Sequence, residues 1–157
     1  MQIIDNKLLD ELSGQARMNP RLRKNHNLHP ADDFCCHRLF NAIEPGSYIR
    51  PHRHLDPAKD ETFVIVRGRL GVITFDEEGQ VAGTALLTPG EGAIAVDIPH
   101  GRFHTPVSLD AGTIFFEAKA GPYLPLAEGE KATWAPEDGA REAAAYLAHL
   151  KSLFRSS

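Results

Sequence analysis

Apolar residues at Ile3, Ile4, Leu8, Leu12 and Ala16 recur at helical spacing, which predicts a short amphipathic helix over about residues 5–16. From Arg21 to Glu117 the pattern changes to short runs rich in Val, Ile, Phe and Thr, punctuated by Gly, Pro and Asp. The runs 34–43, 47–55, 61–69, 71–76, 81–88, 92–98, 102–108 and 112–118 read as strands, and Glu77-Glu-Gly-Gln80 reads as a hairpin turn. Many short strands at regular spacing predict a β-barrel or sandwich spanning about residues 21–118. A proline-bearing stretch, 119–136, then reads as a segment wrapping over the barrel. The last element is predicted as a helix over about 136–154, because Pro136-Glu-Asp sets a fixed φ and acidic groups at its start. Its apolar stripe, Ala143, Leu147, Leu150 and Phe154, covers the barrel or, alternatively, makes a homodimer contact.

Bulk composition narrows the class without naming a function. A chain of 157 residues with 42% hydrophobic and 24% charged residues reads as one soluble globular domain, 1–157. A net charge of −4 argues against a nucleic-acid surface, which needs a basic stripe. Charges interrupt the apolar residues of the first ten positions, so no signal peptide or anchor is expected there, and no apolar run spans a bilayer. Cys35 and Cys36 are adjacent, so a bond between them would be strained. Two reduced, half-buried thiols in a cytoplasmic protein are expected, with a thiolate ligand or redox pair as the alternative.

The chemistry concentrates in Gly46-Ser-Tyr-Ile-Arg-Pro-His52-Arg-His54, Glu61 and Gly68, followed by Gly92, Pro99, Gly101 and His104. Residues two apart on a strand share a face, so His52 and His54 point the same way. Three imidazoles and a carboxylate converging from adjacent strands can hold a divalent metal and leave positions open. If Pro51 leaves the pleat intact, the same parity turns Arg50 toward the metal, where it could clamp an anion; otherwise it is a solvated arginine at the barrel mouth. Tyr48 offers a hydroxyl nearby, and these two are the candidate catalytic groups. Arg23, Asn25, Asn27 and His29 alternate with Lys24, His26 and Leu28, so a strand there puts them on one face, either solvated or lining a cavity. Arg23, Asn25, Asn27, Arg50 and Tyr123 are the substrate-binding candidates. His37, His100 and His149 read as structural or exposed, with His100 placed to gate the mouth. No nucleophile elbow, phosphate loop or dinucleotide fingerprint occurs.

Gly-x5-His-x-His with a later Glu and x6-Gly resembles the first motif of the cupins, and Gly92-x6-Pro99-x-Gly101-x2-His104 resembles their second. The resemblance implies an all-β fold: a single cupin (double-stranded β-helix, jelly-roll) barrel with short N- and C-terminal helices. It implies His52, His54, Glu61 and His104 as metal ligands inside it. One departure stands out: six residues, Leu55 to Asp60, separate His54 from Glu61, more than cupins usually have. They read as a lengthened hairpin turn, and leave Asp56 or Asp60 open as the carboxylate ligand. Pro20 to His29, Arg50 to His54, Glu117 to Tyr123 and Trp134-Ala-Pro136 together resemble the WbuC-type cupin metalloproteins, which are associated with O-antigen (lipopolysaccharide) gene clusters.

These readings imply one divalent transition metal per chain (Fe, Mn, Ni, Co or Zn) and a small-molecule partner such as a sugar or nucleotide-sugar. They imply no nucleic acid and no membrane. The expected function is a metal-dependent isomerase, epimerase or lyase acting on a carbohydrate-derived substrate in surface-polysaccharide biosynthesis. An iron-dependent cupin dioxygenase and a non-catalytic, metal-bearing sugar-binding or regulatory module are the alternatives.

Overall fold

The computed structural model describes residues 1–155. Helix α1 (Asn6–Met18) begins where Asp5 accepts the Leu8 N–H on its side chain at 3.0 Å, which satisfies an amide the helix itself leaves unpaired. It buries Leu9, Leu12 and Ala16 against Ala42 and Ile114. Nine strands follow: β1 (Arg23–Asn27), β2 (Cys36–Ile43), β3 (Glu61–Arg67), β4 (Leu70–Phe75), β5 (Val81–Thr88), β6 (Glu91–Gly92), β7 (Ala95–Ile98), β8 (Phe103–Ser108) and β9 (Thr113–Ala120). They form two antiparallel sheets ordered β1-β2-β9-β3-β7 and β6-β5-β4-β8. The fold is the expected all-β jelly roll, with a short helix at each end.

Register decides what the larger sheet turns inward. Residues paired across neighbouring strands share a face, so Asn25, Asn41 and Phe115 form one row and Asn27, Leu39, Glu117 and Phe63 the next. A third row runs His37, Lys119, Glu61 and Ile98. Phe63, Ile98 and Phe115 of this face belong to a core with Ile43, Ile65, Leu70, Val72 and Leu87. Polar groups therefore occupy one end of an otherwise apolar interior.

Three sequence expectations change. The run 47–55 is not a strand; only His52 bridges, to His104 and to Lys131. Pro51 has no N–H to give a ladder and disturbs the alternation. The C-terminal helix α2 spans Ala143–Ser152 rather than starting near 136, because Gly139 adopts φ +82 in a turn that precedes it. A left-handed residue cannot sit within a right-handed helix. Its stripe does cover the barrel: Ala143, Leu147 and Leu150 are buried with Ile73, Phe75 and Phe103, and Phe154 packs beside them. Both cysteines are free and exposed rather than half-buried, since Cys36 takes the outward side of β2 and Cys35 precedes the strand. Among the described residues no helix is long and apolar enough to cross a membrane.

Candidate metal centre

His52 sits where the chain crosses between β8 and the C-terminal wrap. Its N–H donates to His104 O at 3.0 Å and its carbonyl accepts from His104 N at 2.8 Å, so the two histidines are fixed against each other through their backbones. Each ring is then oriented by the carbonyl two residues earlier: His52 Nδ1 lies 3.1 Å from Arg50 O, and His104 Nδ1 lies 3.0 Å from Arg102 O. A carbonyl only accepts, so in each neutral ring the proton is on Nδ1 and Nε2 keeps a bare lone pair. His52 is held neutral because burial, and next the neighbouring His104, push its pKa down to about 3.

Glu61 completes the cluster at the start of β3. One ligand atom from each of His52, His54 and Glu61 lies within 4.8 Å of the others. Two donors bonded to one ion at about 2.1 Å span at most about 4.2 Å, so the three would draw slightly together around an ion. His104 Nε2 is 2.7 Å from Glu61 Oε2, and His54 Nε2 is 3.2 Å from Glu61 Oε1. Neither contact is aligned as a hydrogen bond, and His54 Nε2, His104 Nε2 and Glu61 Oε2 are buried without a hydrogen-bond partner. Burial alone would raise the Glu61 pKa, and the positive charge of the Lys119 ammonium works against that rise. Lone pairs and an anionic oxygen thus face one another. A divalent cation is what that donor set fits.

The aspartates of the long turn point elsewhere. Asp60 Oδ1 accepts from the His100 N–H and contacts His100 Nδ1, both at 2.8 Å, and Asp56 Oδ1 caps the turn through the Ala58 N–H. His100 is therefore tied to the turn. Glu61 is the carboxylate that the structure brings to the histidines.

Two expected catalytic groups are not in the site. Arg50 donates to Ala132 O at 3.0 Å and reaches Glu137 at 3.5 Å, so it fastens the C-terminal wrap. Tyr48 is buried in the core under α2 and donates its hydroxyl to Pro136 O at 2.8 Å. Pro51 is the physical reason: Ile49 and His52, an odd number of residues apart, both line the inner cavity, so the expected parity of 48, 50 and 52 fails.

Three cavities meet at Lys119. One of about 150 Å³ is lined by Arg23, Asn25, Asn41, His52, Glu61 and Glu117 among others. A second, about 330 Å³, takes in Asn25, Asn27, His29, His37, Glu117 and Tyr123. A third, about 170 Å³, reaches His52 and His54 past Tyr123. Asn25, Asn27 and Tyr123 thus lie on cavity walls. Arg23 is there too, but its guanidinium is engaged by Tyr48 O at 2.6 Å, Ser47 Oγ at 3.3 Å and Asp138 Oδ2 at 2.9 Å.

Sequence reasoning missed Asn41, Glu117 and Lys119. Lys119 Nζ contacts both Glu61 Oε1 and Glu117 Oε1, and Asn41 Nδ2 donates to Glu117 Oε2 at 2.7 Å. Burial raises the Glu117 pKa. Burial would lower that of Lys119, but Glu117 and Glu61 more than reverse this and keep it charged. The signal was present: opposite charges two apart, in phase with Phe115, on an otherwise apolar strand.

A family described as Domain of unknown function (DUF6016) matches residues 4–87, just over half the sequence. The chain belongs to this family. None of the curated proteins matches it. Among solved structures it is similar to TT1209 from Thermus thermophilus, at 23% identity and a TM-score of 0.55, covering 76% of this chain and 97% of that one. It is also similar to KdgF from Halomonas sp., at 19% identity and 0.51, covering 65% and 82%. SPY1581 from Streptococcus pyogenes, a protein of unknown function, gives 11% and 0.52, covering 78% and 90%. At these identities the likeness speaks for the fold. Together the structure presents a jelly-roll barrel with a potential metal site at His52, His54 and Glu61.

Proposed function

We propose that this DUF6016 protein is a divalent-metal-dependent enzyme acting on a small carbohydrate-derived substrate, through isomerisation, epimerisation or a lyase step. The observation that carries the reading is the convergence of unpartnered His54 Nε2, His104 Nε2 and Glu61 Oε2 beside His52, with His52 and Glu61 lining a cavity. His52, His54, Glu61 and His104 would hold the ion, which supplies Lewis-acid polarisation of a carbonyl or hydroxyl oxygen. Asn25, Asn27 and Asn41 offer amides to hydroxyl groups along the adjoining wall. Glu117, beside Lys119, is a carboxyl in reach of a ligand bound there. The motif resemblance to WbuC-type proteins supports a role in surface-polysaccharide biosynthesis, where nucleotide-sugars and sugar phosphates are the substrates to try.

The experiment is elemental analysis of protein purified without chelator, joined to a screen of nucleotide-sugars and sugar phosphates for turnover. About one divalent ion per chain and conversion of a sugar substrate are expected. Oxygen uptake by iron-loaded protein with no sugar conversion would move the reading to a dioxygenase. Sugar binding without turnover would move it to a binding module.

A further inference from the structure

The six-residue turn that sets this chain apart from the usual cupin spacing is held at both ends. The Leu55 N–H donates to Glu130 Oε1 at 2.9 Å, and Asp60 is fastened to His100. Between them the Lys59 N–H closes the turn onto Asp56 O at 2.9 Å. Five of its six residues are exposed and Lys59 is buried, at 8% of its accessible surface. Lysine is among the residues least often found buried without a charge partner. Its Nζ donates once, to Pro122 O at 2.9 Å. No carboxylate pairs with Lys59 among the described residues.

Lys59 lines the cavity of about 170 Å³ together with His37, His52, His54 and Lys119, and no acidic side chain lines it. The remainder of the wall is Ala120, Pro122, Tyr123, Leu124 and Leu126. Lys119 is already paired with two carboxylates, so Lys59 is the cation left with donors to offer. A buried ammonium with one neutral acceptor is costly, and an anionic ligand offsets that cost with a charge-assisted hydrogen bond.

We propose that the lengthened turn delivers Lys59 as the anion-recognising group of this cavity, which takes the carboxylate or phosphate of a ligand whose neighbouring oxygens reach the His52-His54-Glu61 donors. The second half of this statement rests on the metal reading above; the anion site itself does not. The turn is thus a specificity element, and the cation expected at Arg50 is supplied by Lys59.

The test is titration of the full chain, metal-free and zinc-loaded, with acetate, inorganic phosphate, D-glucuronate and, as the neutral control, D-glucose. Backbone amide shifts of Lys59, Lys119 and Tyr123 give the binding curves, and zinc content is measured on the same samples. Saturable shifts at these residues are expected with at least one anion, with D-glucose weaker by tenfold or more. Lys59→Met should weaken the anion tenfold or more with zinc content unchanged, and Lys59→Arg should retain it. Acetate against phosphate tells which anion class the cavity prefers. Equal anion affinity in wild type and a folded Lys59→Met, shifts located elsewhere, or no anion binding at all overturns the proposal. Wild-type protein that takes up no zinc yet still binds anions at Lys59 overturns the metal reading alone.

Discussion

Lys119 Nζ lies 2.6 Å from Glu61 Oε1, so the carboxylate turned toward three histidines is also ion-paired to a buried lysine. The same ammonium lies 2.7 Å from Glu117 Oε1. One cation between two carboxylates leaves the group one negative charge in excess, facing the imidazoles. That excess favours a divalent ion and limits the repulsion the interior must bear without one.

Replacing Lys119 by Met should therefore destabilise the metal-free protein by about 3–5 kcal/mol, the usual cost of leaving buried charges uncompensated. Metal should restore more stability to the variant than it adds to wild type, because it takes over neutralisation of Glu61. Thermal unfolding of both proteins, with and without zinc, measures this; equal gains from zinc would show that Lys119 and the ion do not share Glu61.

His52→Ala and His104→Ala should each cut zinc affinity at least tenfold, since each removes an imidazole whose Nδ1 is already anchored to a carbonyl. Competition with a chromogenic chelator provides the number. Stoichiometric zinc retained by the double variant would place the ion elsewhere.

His37 should make stability fall as the solution is acidified. Burial first, then the His29 ring stacked on it at 4.0 Å and the charge of Lys119, lower its pKa, while Asp32 opposes them. Glu117 and Tyr123 line the same cavity. The unfolded chain takes up this proton below about pH 6.5, whereas the folded ring refuses it until its lower pKa is reached. Its contribution is thus complete above the unfolded value and is lost as pH drops toward the folded one, by at most about 1.4 kcal/mol per pH unit. Chemical denaturation of metal-free protein between pH 7 and pH 5, as chosen conditions, should show a shallower slope in His37→Asn.

Leu150→Ala should cost about 2–5 kcal/mol, because Leu150 is 1% exposed between α2 and the barrel wall. Urea denaturation checks it. A change below ~1 kcal/mol would mean that α2 is not part of the cooperative core.

Much of this was legible in the chain. Strand positions followed from alternation and turn residues, and α1 from its 3.6-residue spacing. His52, His54 and Glu61, which the structure gathers, were among the donors named from motif order. What failed were arguments that carried strand parity through a proline: Arg50 and Tyr48 turned away from the site because the backbone at Pro51 does not continue the pleat. What was missed were Glu117 and Lys119, whose charges suggest a solvated strand until register places them opposite Phe63 and Glu61. Lys59 lay within a segment that reads as a spacer, since turn composition tells how a chain reverses and not which side chain it buries.

The backbone pairing of His52 with His104 bears on the order of events as the chain matures. The two positions are far apart in sequence and meet only when the segment before the long turn has closed against β8. Neither an early stretch of the chain nor its unfolded form brings them together, so neither presents the full donor set. Whatever free energy the ion contributes then goes to the closed barrel and not to its precursors. Occupancy by metal is in that sense a mark of completion: a chain that holds it has finished folding.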